Sequence, residues 1–245
     1  MSHAHEHEPR ARPVFPEPLT LSPTLFPEGV VVRAIRLGEP HEETLGFFEG
    51  IALPERLATA VIERRLHFLA GRHCAREALL ALSPENAHVP VLIGENREPV
   101  WPFGIRGSIS HTKRYAAAVV ASMAHMRGLG IDVERWMKPD APQRLGDHIT
   151  LLGELEDLEG SDLSPSEMLT VVFSAKESLF KALYGAVGRY FGFQDARITH
   201  VDIEAGTLEG QLEATLTNEL ATGFRFSGRV ERVDGGVVTG IAWER

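Results

Sequence analysis

Sulfur chemistry is almost absent from this chain: its 245 residues include one cysteine, Cys74. No intrachain disulfide can form, which fits a reducing compartment such as the cytoplasm. Cys74 lies between Arg72 and Arg76 in a helical pattern. A small buried packing residue is the ordinary reading of such a thiol. An excess of basic residues is missing too, with 25 Lys and Arg against 34 Asp and Glu and a net charge of -9. That argues against general nucleic-acid binding, which needs a basic surface, but leaves room for a local basic pocket. No run approaches the ~18 apolar residues of a membrane span. The first ten residues, with His3, His5 and His7, have no apolar centre. They read as a polar tail and not as a secretory leader.

With 43% hydrophobic and 24% charged residues, the chain has material for a sizeable core. Residues 1–28 are expected to be irregular, followed by a strand near Val30–Ile35. From Pro54 to Leu82 the pattern is helical, with a break expected near Gly71. Two strands, 115–121 and 129–134, are expected to pair as an antiparallel hairpin. Residues 153–167 read as a surface loop. It ends in Ser164-Pro165-Ser166-Glu167, which has the spacing of a capping box with proline in the first turn. The helix it opens should run to about Tyr184 and stop at Gly185. The tail then alternates in β fashion over 196–203, 210–217, 223–232 and 236–243, with Asp234-Gly235 as a hairpin turn. A long helix followed by strands occurs twice, predicting two similar α+β lobes.

Three acidic residues stand out. Asp132 and Glu134 lie at i and i+2 of the apolar run Gly130-Ile131-Asp132-Val133-Glu134. On a strand both carboxylates point one way, about 7 Å apart. Like charges on a half-buried face repel unless a cation sits between them, and Mg²⁺ takes oxygen ligands of this kind. Spacing alone leaves a solvent-facing sheet edge as the other reading. Glu177 follows on the long helix, one turn before Lys181, where a surface ion pair is the plain alternative. Upstream, Arg65, Arg72 and Arg76 fall within about 40° of one another on a continuous helix. They form either a solvated cationic face or an anion-binding stripe.

Together the pieces Gly71-Arg72-His73-Cys74-Ala75-Arg76, Arg97-Glu98-Pro99-Val100-Trp101-Pro102, Gly107-Ser108-Ile109-Ser110-His111, Gly130 to Glu134, Phe173 to Lys181 and Phe191 to Ala196 resemble the 4′-phosphopantetheinyl transferases. The closer likeness is to the long two-lobed bacterial type associated with siderophore and other nonribosomal or polyketide synthesis. The resemblance implies transfer of the phosphopantetheine arm of coenzyme A to a serine of an apo acyl or peptidyl carrier protein, releasing 3′,5′-ADP. It implies an α+β pseudo-dimer, each lobe a helix packed on an antiparallel sheet, with lobes at 29–127 and 128–245. Asp132, Glu134 and Glu177 would hold Mg²⁺. Glu177, or a metal-ordered water, would be the base, while Lys181 and His111 meet the phosphates. Arg64 and Arg72 would grip the 3′-phosphate, with Arg76, Arg97, Ser110 and Lys176 also on the coenzyme. Asn96 stands where some relatives carry lysine, so the neighbouring Arg97 takes that contact. A pseudo-dimer implies a monomer, with no membrane or nucleic-acid partner. The carrier would dock near Val187–Phe193, a segment that could equally be buried core.

Overall fold

The computed structural model describes residues 15–86, 88–158 and 162–245. The alternating-histidine tail lies outside these residues. In chain order the strands are β1 (Glu17–Pro18), β2 (Val31–Arg36), β3 (Leu92–Ile93), β4 (Pro99–Val100), β5 (Ile105–His111), β6 (Tyr115–Ser122), β7 (Met126–Arg135), β8 (Ala196–Asp202), β9 (Thr207–Leu212), β10 (Arg225–Val233) and β11 (Gly236–Glu244). The helices are α1 (Glu42–Gly46), α2 (Glu55–Ala58), α3 (Ile62–Leu82), α4 (Ala141–Ile149) and α5 (Pro165–Val187). One sheet has the order β1-β2-β6-β5 and the other β7-β11-β10-β9-β8, while β3 and β4 form a small ribbon. Both large sheets are antiparallel. Helix α3 packs on the first and α5 on the second, so the α+β architecture with one helix per sheet holds.

The expected hairpin of 115–121 with 129–134 does not form. Both edges of β6 are taken, by β2 and β5, and β7 pairs with β11 instead. The physical reason is that β6 is buried on both faces. Ala116, Ala118 and Val120 meet α3, while Tyr115, Ala117, Val119 and Ala121 share a core with Leu129, Ile131 and Val133 of β7. The strands therefore stack across a core between the sheets, joined by residues 123–125. Since odd-numbered residues of β7 face this core, its even-numbered residues face the other way, toward α5.

Other differences are local. Gly71 does not break the helix, which runs unbroken from 62 to 82; the interruption falls at 59–61. A Cβ on Gly71 would lie 2.8 Å from Ile109 Cγ2, so this glycine serves close packing. Helix α5 passes Gly185 and ends at Gly188, whose φ of 67° is the left-handed cap conformation. At its start the capping box forms as expected: Ser164 accepts from the Glu167 N–H, and the Glu167 side chain accepts from the Ser164 N–H. Part of the expected surface loop is buried, with Glu154 wholly so. Asp234-Gly235 turns between β10 and β11 as read. That turn reaches across to the first sheet, where Arg36 and Arg114 pair with Asp234 and the Tyr115 hydroxyl donates to its carbonyl.

Candidate active site

The site grows from the fit of α5 on β7. A Cβ on Gly130 would stand 2.7 Å from the Ser178 carbonyl carbon, and one on Gly128 2.9 Å from that of Ala182, each closer still to the oxygen. Only glycine lets the backbones approach this far. Two strand residues advance about 6.8 Å and four helical residues about 6 Å. The ladder therefore continues: Gly128 lies under Ala182, Gly130 under Ser178, and Asp132 meets Ser174. Asp132 is 2% exposed. Its Oδ2 accepts from Ser174 Oγ at 2.9 Å, and its Oδ1 from Ser110 Oγ at 2.8 Å and Lys181 Nζ at 2.6 Å. Lys181 also donates to the Ile131 carbonyl at 3.1 Å. Ser174 and Ser178 both contact Thr239 of β11, so a buried hydroxyl cluster backs the carboxylate.

Glu134 and Glu177 share this electrostatic neighbourhood. Burial, then the Asp132 carboxylate, push the Glu134 carboxyl up to about 7, with Lys181 opposing and Glu177 adding to the rise. Glu177 is raised by burial and Asp132 against the pull of Lys181. The cluster is short of positive charge. Three hard oxygen donors, with the proton affinities of Glu134 and Glu177 raised, suit a divalent cation such as Mg²⁺. Among the described residues no three His, Cys, Asp or Glu side chains converge closely enough to grip an ion as they stand. Lys181 is the cation beside Asp132.

His111 links this cluster to the first lobe. Its ring stacks on His67 with centroids 5.0 Å apart. Burial, then His67 and Lys181, lower its pKa to about 4 against the pull of Asp132, so the imidazole is neutral near pH 7. Beyond it opens a cavity of about 490 Å³ lined by Arg64, His67, Arg72, Arg97 and His111. Arg64, His67, Gly71 and Arg72 follow the i, i+3, i+7, i+8 spacing of one face of α3. Arg72 is held by the Val91 carbonyl at 2.8 Å and lies over the Phe68 ring. A second cavity of about 460 Å³ spans both lobes, from Arg97 and Ser108 to Lys181, Tyr184 and Tyr190. Arg97 lines both cavities from a backbone φ of 69°, the one positive φ outside glycine among the described residues.

Other expected contacts sit elsewhere. Lys176 turns away from the cavities into the second lobe. Its ammonium, 2% exposed, bonds Glu154, the Ile149 carbonyl and the Phe193 carbonyl. All three donors are used internally, which removes the reason to expect it on a coenzyme. Arg76 lines a different cavity, and Arg65, of the sequence-based stripe, pairs with Glu42 at 2.6 Å. Ser110 is engaged by Asp132 and by the Val133 N–H. In the proposed docking segment Phe191 is core, but Tyr190 is 73% exposed. Sequence reasoning missed His67 and Ser174. Helical spacing from Arg64 and from Ser178 would have found them.

Comparison with known proteins gives the family. Residues 53–121 match the model of the 4′-phosphopantetheinyl transferase N-terminal domain, and residues 128–234 that of the 4′-phosphopantetheinyl transferase superfamily. The chain is 36% identical over 200 residues to the 4′-phosphopantetheinyl transferase Npt of Nocardia iowensis, covering 76% of this chain and 86% of that protein. It is 37% identical over 150 residues to PptT of Mycobacterium tuberculosis, covering 60% and 64% of the two chains. It is 40% identical over 120 residues to enterobactin synthase component D of Escherichia coli, covering 49% and 55%. With family models matched in both lobes and most of a relative's length aligned, the chain belongs to the 4′-phosphopantetheinyl transferase superfamily.

Proposed function

We propose that this transferase acts on carrier proteins through the acidic cluster facing Lys181, with Asp132, Glu134 and Glu177 holding Mg²⁺. The observation that carries the reading is the crowding of three carboxylates around one lysine, with the proton affinities of Glu134 and Glu177 raised. Mg²⁺ bound there would act as a Lewis acid toward the pyrophosphate of coenzyme A. The carrier serine oxygen forms a bond to the phosphorus of the phosphopantetheine arm as the bond to 3′,5′-ADP breaks. Glu177, or a water it orders, accepts the hydroxyl proton. Lys181 balances charge on the transferring phosphoryl group. His111 contacts phosphate as a hydrogen-bonding group.

Arg64 and Arg72 take the 3′-phosphate, and Arg97 reaches the coenzyme from the turn before β4. Their shared cavity on one face of α3 supports this reading. A cytoplasmic location, a monomeric state and lobes at 29–127 and 128–245 belong to the same reading; among the described residues no helix is long and apolar enough to cross a membrane. Carriers of nonribosomal peptide and siderophore assembly are the proposed acceptors, on the likeness to enterobactin synthase component D. The test is intact mass measurement of an apo carrier protein after incubation with the chain, coenzyme A and Mg²⁺. A gain of one phosphopantetheine arm, lost with EDTA, supports both transfer and metal dependence. Coenzyme A cleaved without a mass gain would refute transfer, and a gain insensitive to EDTA would refute the metal.

A further inference from the structure

A cavity of about 980 Å³ lies outside the cleft of the proposed reaction. It lies in the first lobe, between a face of α3 and the segments 50–54 and 88–94. Ile51, Leu53, Phe68, Leu79 and Val91 make apolar walls. Its polar lining is of one kind: Arg56, Arg72, Arg76 and His88, with no Asp or Glu among the described lining residues. In a chain of net charge -9 that selection is informative. Arg76 has a neighbour in Glu77 at 3.5 Å, outside the lining. Arg72 gives Nε and one terminal nitrogen to the carbonyls of Val91 and Leu92, and no carboxylate pairs with it in the described residues. A half-buried guanidinium such as that of Arg72 is well matched to an anionic partner. An apolar space of this size with cations on its wall suits a molecule having an alkyl chain and one anionic end.

We propose that this cavity binds an amphipathic carboxylate, its alkyl chain against Phe68, Leu79 and Val91 and its head group at Arg72 and Arg76. Arg72 lines both this cavity and the smaller one toward His111. Occupancy here therefore competes for the guanidinium that the proposed function gives to the 3′-phosphate of coenzyme A. That coupling rests on the Arg72 reading, whereas binding of the carboxylate does not. Because linkage is reciprocal, coenzyme A weakens the carboxylate by the same factor.

The probe is laurate, titrated calorimetrically into the full chain without coenzyme A. Expected is one site with a Kd of about 10–50 µM, with dodecanol and acetate each about tenfold weaker or worse. Arg76→Glu should weaken laurate about tenfold through the head group. Val89→Trp, which fills the cavity from an exposed segment, should remove laurate binding and leave carrier modification within about twofold of the parent. Laurate present at saturation should raise the Kd of coenzyme A and leave that of dephospho-coenzyme A unchanged. An equal effect on both ends the coupling but not the site. No laurate binding up to about 1 mM, or dodecanol binding as tightly as laurate, overturns the proposal. So does Val89→Trp weakening laurate and coenzyme A alike, since the cavity would then be part of the coenzyme site.

Discussion

Replacing Gly130 by alanine tests how the acidic cluster is assembled. The new methyl would lie 2.7 Å from the Ser178 carbonyl carbon, with the oxygen nearer still. Carbon atoms at rest stand about 3.5–4.0 Å apart, so α5 must retreat from β7 by about 1 Å. Both partners are backbone, so no side-chain rotation relieves the clash. Overpacking of this kind costs about 1–3 kcal/mol; at about 2–4 °C per kcal/mol for a chain of this size, the melting temperature should fall by about 2–12 °C. The same displacement separates Glu177 and Lys181 from Asp132. A 1 Å misplacement of reacting groups costs about 100-fold, so kcat should fall by about that factor. Gly146→Ala is the control, since a Cβ there meets nothing within 4 Å. Inside α4 it should gain about 0.5–1 kcal/mol with transfer unchanged. Calorimetry and a carrier-modification assay on both variants decide the matter. A Gly130→Ala protein with parental melting temperature and turnover would refute the close-approach argument.

Asp132→Ala should abolish transfer and also destabilise, because Ser110, Ser174 and Lys181 lose their acceptor together; retained turnover in excess Mg²⁺ would count against the ligand role. Arg72→Ala should raise KM for coenzyme A more than for its analogue without the 3′-phosphate, and equal effects would move that phosphate elsewhere. Lys176→Met should cost about 3–5 kcal/mol by leaving Glu154 charged and buried, measurable by denaturant titration, yet leave KM for coenzyme A unchanged in the folded fraction. The metal-free protein should also lose stability as pH rises. A carboxyl raised from 4.5 to about 7 on folding, as for Glu134, binds more protons folded than unfolded in that window. Its contribution is full below pH 4.5 and gone above about 7, with Glu177 acting in the same direction. Mg²⁺ should flatten that decline in melting temperature; a profile that rises over the window would contradict the sign.

Local chemistry made much of this legible in the sequence. Ser164 to Glu167 announced the start of α5, because caps are decided by a few adjacent residues. The i, i+2 spacing of Asp132 and Glu134 put both on one face, and that face is the one toward α5. Long-range choices were not legible. Whether β7 joins β6 or β11 depends on which strand is buried on both sides, and alanine-rich 115–121 looks the same either way. Lys176 and Glu154 are 22 residues apart, and nothing near either one announces a buried pair. Helical arithmetic chose Arg65 beside Arg72, but the position of α1 decides that Arg65 turns to Glu42 and Arg64 to the cavity.

Strands β5 and β7 end their sheets side by side without pairing. Between them the Ile131 N–H donates to Ser108 Oγ at 3.2 Å, and the Val133 N–H to Ser110 Oγ at 3.3 Å. Hydroxyls on β5 thus stand in for the carbonyls that a β5–β7 ladder would supply. A seam of this kind can widen by a rotation of two serine side chains, where a backbone ladder would have to break cooperatively. It also shields two free sheet edges that would otherwise recruit other chains. The same two serines, through Ser110 and Asp132, connect that seam to the acidic cluster. Solubility and the alignment of the reacting groups are therefore secured by one short pattern, and neither can be altered there without disturbing the other.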